Sequence, residues 1–208
     1  MAELIDSSPA HRALAQRQQG DLEGAAKTLQ QAIDGARRDL ADLYGMLGGT
    51  KREQGDLVAA AQAYDAGFCL ELRFHALSTY NALNRVVMRV LLAPGALSHP
   101  NLLRKEKRLE FVDVRRELSR IEKELRHGLA GVRSNDHWAA GDLAVAAALN
   151  GHLTRATEAV ERFASCSPSP SSAAYDAYIT TLAALAELDT RSKETLESVK
   201  ILMKSKRD

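Results

Sequence analysis

The sequence predicts an all-α fold of antiparallel helix pairs, about ten helices in one domain over residues 1–208, and three observations predict it. Gln19-Gly20-Asp21-Leu22 recurs 35 residues later as Gln54-Gly55-Asp56-Leu57, and the same shift carries Ala25, Leu29 and Ala32 onto Ala60, Tyr64 and Gly67. Apolar residues fall at spacings of three and four. Leu40, Leu43, Tyr44 and Leu47 form the clearest stripe, and it ends at a glycine followed by an Asp suited to cap the next helix. Aromatic content is only 5%, Ala and Leu abound, and period-two runs of β-branched and aromatic residues are absent, which suits close helix packing rather than a sheet.

Each element follows from its own signals. Ser7 or Ser8 caps a first helix from Pro9 to Gln19, where proline is tolerated because first-turn N–H groups lack helical partners. The Gly20 and Gly55 turns separate helices over Leu22–Arg38, Asp39–Gln54 and Leu57–Leu72. A fifth helix, Ala76–Leu92, carries Leu77, Tyr80, Leu83, Asn84, Val87, Met88 and Leu91, and stops before Pro94-Gly95. A long helix from Leu103 to Leu129 presents Phe111, Val114, Leu118, Ile121 and Leu125 as a heptad-like seam, expected to pack on neighbouring helices, with a dimer seam as the alternative. Ser134-Asn135-Asp136 caps a small-sided helix, His137–Asn150, against which others must lie closely, with Trp138 closing the end of the seam. Asn150-Gly151-His152-Leu153 reads as a later turn into Leu153–Ser165. After the Ser167–Ser172 linker, helices over Ala173–Leu188 and Ser192–Lys204 form a terminal hairpin. Leu196, Val199, Leu202 and Met203 give that hairpin an apolar stripe, which leaves a closed homodimer and a monomer both open.

Tyr44, Leu47, Gly48, Gly55, Ala60, Tyr64 and Gly67 stand where tetratricopeptide repeats place an aromatic, Leu, Gly, Gly, Ala, an aromatic and a small residue. The chain resembles that family, best over residues 8–72. The first copy reads as a capping repeat, with Pro9 and Ala13 in place of the aromatic and Gly, and later copies are degenerate. The resemblance implies a right-handed α-solenoid and a groove lined from the first helix of each pair. The groove places here are Arg17, then Asp42, Gly49 and Arg52, then Ser78, Asn81, Arg85 and Met88, with Arg89 beside them. Arginine forks and an Asn amide suit an acidic or extended protein segment, so the expected contact residues are Arg17, Arg52, Asn81, Arg85 and Arg89. The chaperone-type carboxylate clamp does not carry over, because Ala10 and Leu14 stand where it would need Lys and Asn. Tyr80-Asn81-x-x-Asn84 with Asp136-x-Trp138 also resembles bacterial members associated with signalling or defence.

Composition narrows the chemistry. Lys plus Arg number 28 against 27 Asp plus Glu, and a net charge of +1 gives no general pull toward nucleic acid or an anionic membrane. The competing reading is nucleic-acid binding through the basic helix 103–129, although its charges interleave with Glu at pairing distances. No stretch approaches the ~18 apolar residues of a membrane span, and MAELIDSSP has no leader pattern, so a cytoplasmic location is expected. Cys69 and Cys166 have no CxxC partner and read as buried packing residues. Six scattered histidines offer no paired metal ligands, and Gly45-x-x-Gly48-Gly49-Thr50-Lys51 has the wrong order for a phosphate loop. No GxSxG occurs. The expectation is a scaffold or adaptor without catalytic residues, cofactor or metal.

Overall fold

The computed structural model describes residues 8–35, 40–74, 79–93, 114–188 and 192–208. These contain ten helices: α1 (Pro9–Gln18), α2 (Leu22–Gly35), α3 (Leu40–Glu53), α4 (Leu57–Phe74), α5 (Tyr80–Leu92), α6 (Val114–Ala130), α7 (His137–Leu149), α8 (Leu153–Ser165), α9 (Ser172–Leu188) and α10 (Lys193–Arg207). No strand occurs among the described residues. The all-α expectation holds. Of the long helix expected over 103–129, the part before Val114 lies outside the described residues.

Three turns of one design join α1 to α2, α3 to α4 and α7 to α8. Gly20, Gly55 and Gly151 take φ of 79°, 80° and 75°, a left-handed conformation that disfavours any residue with a Cβ. Around each, two backbone bonds close the preceding helix. Gly20 N–H donates to Arg17 O at 3.0 Å and Asp21 N–H to Gln16 O at 2.9 Å; Gly55 and Asp56 repeat the pattern on Arg52 and Lys51, both at 3.0 Å. Gly151 and His152 repeat it on Ala148 and Ala147, both at 2.9 Å. In the first two turns the Asp then caps the next helix, Asp21 accepting from Gly24 N–H at 2.9 Å and Asp56 from Ala59 N–H at 3.0 Å, each such cap contributing about 1 kcal/mol. His152 stands in the third turn's Asp place and makes no such cap.

The chain divides into two compact units at Met88/Arg89, within α5. In the first, α1 packs on α2, α2 on α3 and α3 on α4, burying Ala13, Ala25, Leu29 and Leu47. Tyr64 is fully buried, and its ring occupies the space left by Gly48: a Cβ there would lie 2.7 Å from a ring carbon. In the second unit α7 is central, with every residue from Ala139 to Leu149 buried against α6, α8, α9 or α10. The α6 seam of Val114, Leu118, Ile121 and Leu125 is buried, and α6 packs on α7, as expected. Gly141 admits Tyr178, whose ring carbons would lie 2.3 Å from an added Cβ, and whose hydroxyl donates to Trp138 O at 2.9 Å.

Two expectations need correction. Leu196, Val199 and Met203 are buried inside the second unit, where α10 packs on α7, α8 and α9, so the stripe proposed as a homodimer seam is already covered within the chain. Cys69 is exposed rather than buried, because it lies on the outer side of α4, away from the face carrying Ala60, Ala63, Tyr64 and Gly67. Cys166 is buried as expected. Burial pushes its thiol pKa up, and the S–H donates to Arg162 O at 3.3 Å.

Candidate partner-binding site

Gly45, Gly49, Arg52 and Glu53 recur at spacings of three and four and so share one side of α3. Tyr80 lies against that side at Gly45, where a Cβ would come within 2.9 Å of its ring. Arg17 reaches across from α1 and forms an ion pair and hydrogen bonds with Glu53. Arg52 Nη1 lies 3.5 Å from Asn84 Oδ1, at the limit of a hydrogen bond, so its guanidinium is only loosely held. Around the position a Cβ of Gly49 would take, three polar atoms converge: Tyr80 Oη at 3.6 Å, Tyr64 Oη at 3.7 Å and Arg17 Nη2 at 3.8 Å.

The electrostatics follow from that crowding. Burial pushes the Tyr64 phenol well above its ordinary pKa. Neighbouring Tyr80 raises it further, while Arg52 and Arg17 pull it down less strongly. Tyr64 therefore stays protonated at neutral pH. Its hydroxyl is buried beside Tyr80. Burial alone would lower the Arg17 pKa, but the bond to Glu53 more than offsets this and the guanidinium is held charged. Two guanidiniums and a protonated phenol offer donors to an anion.

The other expected contact residues are placed differently. Asn81 is 1% exposed and its amide works inside the unit, Nδ2 donating to Ala41 O and to Glu71 Oε1, each at 2.9 Å. Asn81, about 100° round the helix from Tyr80, lies between α3 and α4, its Oδ1 3.0 Å from a Cβ at Gly45 and its side chain 2.6 Å from one at Gly67. Arg85 pairs with Asp65 at 2.8 Å and stacks over Phe68 at 4.2 Å. Arg89 belongs to the second unit and pairs with Glu117 at 3.0 Å. Asp42 is exposed, Met88 is buried, and Ser78 lies outside the described residues. Sequence reasoning treated Tyr64 as packing alone and did not single out Tyr80 or Glu53 for this site. The available signal was the second glycine of the Gly48-Gly49 pair, since the repeat pattern requires only the first.

The second unit has polar centres of its own. Glu122 of α6 is buried and accepts from Asn150 Nδ2 at 2.6 Å, His152 Nδ1 at 3.0 Å and Arg155 Nη1 at 3.0 Å. Burial would raise its pKa, but these three donors hold the carboxyl below its ordinary value. Beside it, a concavity of about 460 Å³ is lined by Arg126, Arg155 and Arg162 among others. Arg155 is committed to Glu122, while Arg162 donates to Leu129 O at 2.6 Å and Ser134 O at 2.8 Å, closing the end of α6. These bonds serve the fold.

The chain is similar to the crystal structure of a tetratricopeptide repeat protein from Parabacteroides merdae ATCC 43184, with 15% identity, 94% of this chain and 97% of that chain covered, and a TM-score of 0.36. No family model and no curated protein matches the sequence.

Proposed function

We propose that this protein is a non-catalytic interaction scaffold whose α1–α3 face engages an acidic or extended segment of a partner protein. The observation that carries the reading is that Arg17 and Arg52, from different helix pairs, both lie close enough to act on Tyr64. Guanidiniums supply planar forks for carboxylates, and a partly desolvated pair binds more strongly than a solvated rim charge. Arg85, tied to Asp65, extends the basic character of the unit, while Asn81 orders the helices that present it. The scaffold acts as one helical-repeat domain in the cytoplasm, within a bacterial signalling or defence system. No described helix is long and apolar enough to cross a membrane.

Capture from the native host tests this, with wild type beside an Arg17→Ala/Arg52→Ala double variant whose helicity is checked by circular dichroism. The expected result is selective loss of one acidic protein, with its affinity reduced about 10- to 100-fold on re-measurement with purified components. Identical capture by both forms would overturn the face. Recovery of nucleic acid alone, with a steep salt dependence, would transfer the assignment to the basic helix α6.

A further inference from the structure

The concavity of about 460 Å³ in the second unit lies between α6 and α8, and its volume falls in the range of small-molecule sites, about 300–1,000 Å³. Leu129, Leu143 and Ala159 give it a buried apolar floor, while Arg126, Thr154, Arg155 and Glu158 form an exposed rim. Two of its three arginines are already fixed in place. Arg155 is held through Nη1 on Glu122, and Arg162 through Nε and Nη2 on the carbonyls of Leu129 and Ser134. Neither set of bonds exhausts a guanidinium, which carries five N–H groups. Arg155 Nη2 and Arg162 Nη1 make no hydrogen bond among the described residues, and Arg126 makes none with any of its nitrogens. Cations positioned by the fold bind an anion with little further ordering.

The charges around the concavity do not cancel. Glu158 stands three positions after Arg155 and four before Arg162 on α8, spacings that allow helical ion pairs, yet it forms none among the described residues. Three guanidiniums set against Glu158 and the buried Glu122 behind Arg155 leave one positive charge in surplus, His152 counted as neutral. That surplus matches a monoanion. The first turn of α8 acts in the same sense. Its amides at Thr154 and Arg155 precede the first helical bond, from Ala156 N–H to His152 O, and the His152 side chain does not cap them. The floor of leucine and alanine side chains suits a ligand with an apolar part beside its charge.

We infer that the α6–α8 concavity is a binding site for an organic monocarboxylate with a short apolar body. The carboxylate accepts from Arg126 and from the remaining N–H groups of Arg155 and Arg162, and the body lies on Leu129, Leu143 and Ala159. The site belongs to the second unit and does not rest on the reading of the α1–α3 face. A free small acid and a peptide chain end with an apolar last residue present the same chemistry, so the experiment separates them.

Full-length protein, isotope-labelled at the arginine side-chain nitrogens and the leucine methyls, is titrated by NMR with isocaproate, isocaproamide, acetate, inorganic phosphate, and acetyl-Gly-Gly-Leu with a free or an amidated C-terminus. Saturable shifts of the Arg126 N–H and Leu143 methyl signals with isocaproate, and none with isocaproamide or the amidated peptide, are expected. Acetate, which lacks the apolar body, should bind about tenfold more weakly or worse. Arg126→Gln removes no bond among the described residues, so its Tm should equal that of wild type while affinity for isocaproate falls about tenfold. Glu158→Gln, which removes the opposing charge at the rim, should raise that affinity. Equal or tighter binding of the free-terminus peptide supports the site and assigns it to chain ends; a response to isocaproate alone supports it and assigns it to small acids. The site is overturned by absence of saturable binding for every acid, by isocaproamide binding as well as isocaproate, or by acetate or inorganic phosphate binding as tightly. Undiminished binding by Arg126→Gln, or no gain from Glu158→Gln, overturns it equally.

Discussion

Glu122→Ala is expected to destabilise the second unit by about 2–3 kcal/mol at neutral pH. The substitution removes a nearly inaccessible carboxylate that accepts three hydrogen bonds from the α7–α8 turn and the start of α8. Hydrogen bonds to a charged group contribute roughly 1.5–3 kcal/mol each when well buried. Here His152 and Arg155 are half exposed, at 45% and 46%, so solvent screening reduces their share and Asn150 carries most of the effect. The carboxyl pKa is lower in the folded state than in the unfolded chain. Its contribution is therefore fully present above the ordinary carboxylate range of roughly pH 4 and is lost as pH falls through the depressed folded value. Urea denaturation of wild type and variant, followed through Trp138 fluorescence in the second unit, checks both points. Coincident midpoints at neutral pH, or a gap that persists unchanged in acid, would contradict them.

Gly48→Ala is expected to cost about 1–3 kcal/mol in the first unit, although alanine is the better helix former by roughly 1 kcal/mol. The new Cβ would sit 2.7 Å from the Tyr64 ring. That ring is fully buried and packs edge-on against Tyr80 at 6.0 Å, so it has no free direction in which to move. Gly49→Ala, one residue on, meets only ordinary contacts and should be neutral or stabilising by about 0.5–1 kcal/mol. Thermal denaturation of the two variants side by side should show shifts of opposite sign. Equal shifts would mean that Tyr64 does not occupy the space beside Gly48.

These cases show which parts of the molecule could be read from sequence. Helix limits and the Gly20, Gly55 and Gly151 turns were legible because capping and left-handed glycines act over a few residues. The Gly48–Tyr64 contact was legible because the two residues lie within one helix pair that keeps the repeat spacing. Asn81 was expected to face a partner because the repeat spacing was extended into α5, whereas its amide is used between α3 and α4, on Ala41 O and Glu71 Oε1, groups 40 and 10 positions away in sequence. Glu122 drew no attention as anything but a charged residue on a wet face, since its donors lie 28 to 33 positions away in sequence. Arg162 was equally silent, for its role is to satisfy the carbonyls that end α6, and nothing adjacent to it marks that task.

The third of the repeated turns has a consequence for how the molecule opens. At Gly20 and Gly55 the capping Asp is a neighbour of the turn itself, so hydrogen bonds there can break and re-form without disturbing another helix. At Gly151 the corresponding residue, His152, is held instead by a carboxylate on α6, as are Asn150 and Arg155 on either side. Separating α7 from α8 at this turn therefore requires release of α6 as well. In native-state hydrogen exchange, the Gly55 and Asp56 amides should report shallow local fluctuations, whereas those of Gly151 and His152 should exchange only through a larger cooperative opening shared with α6.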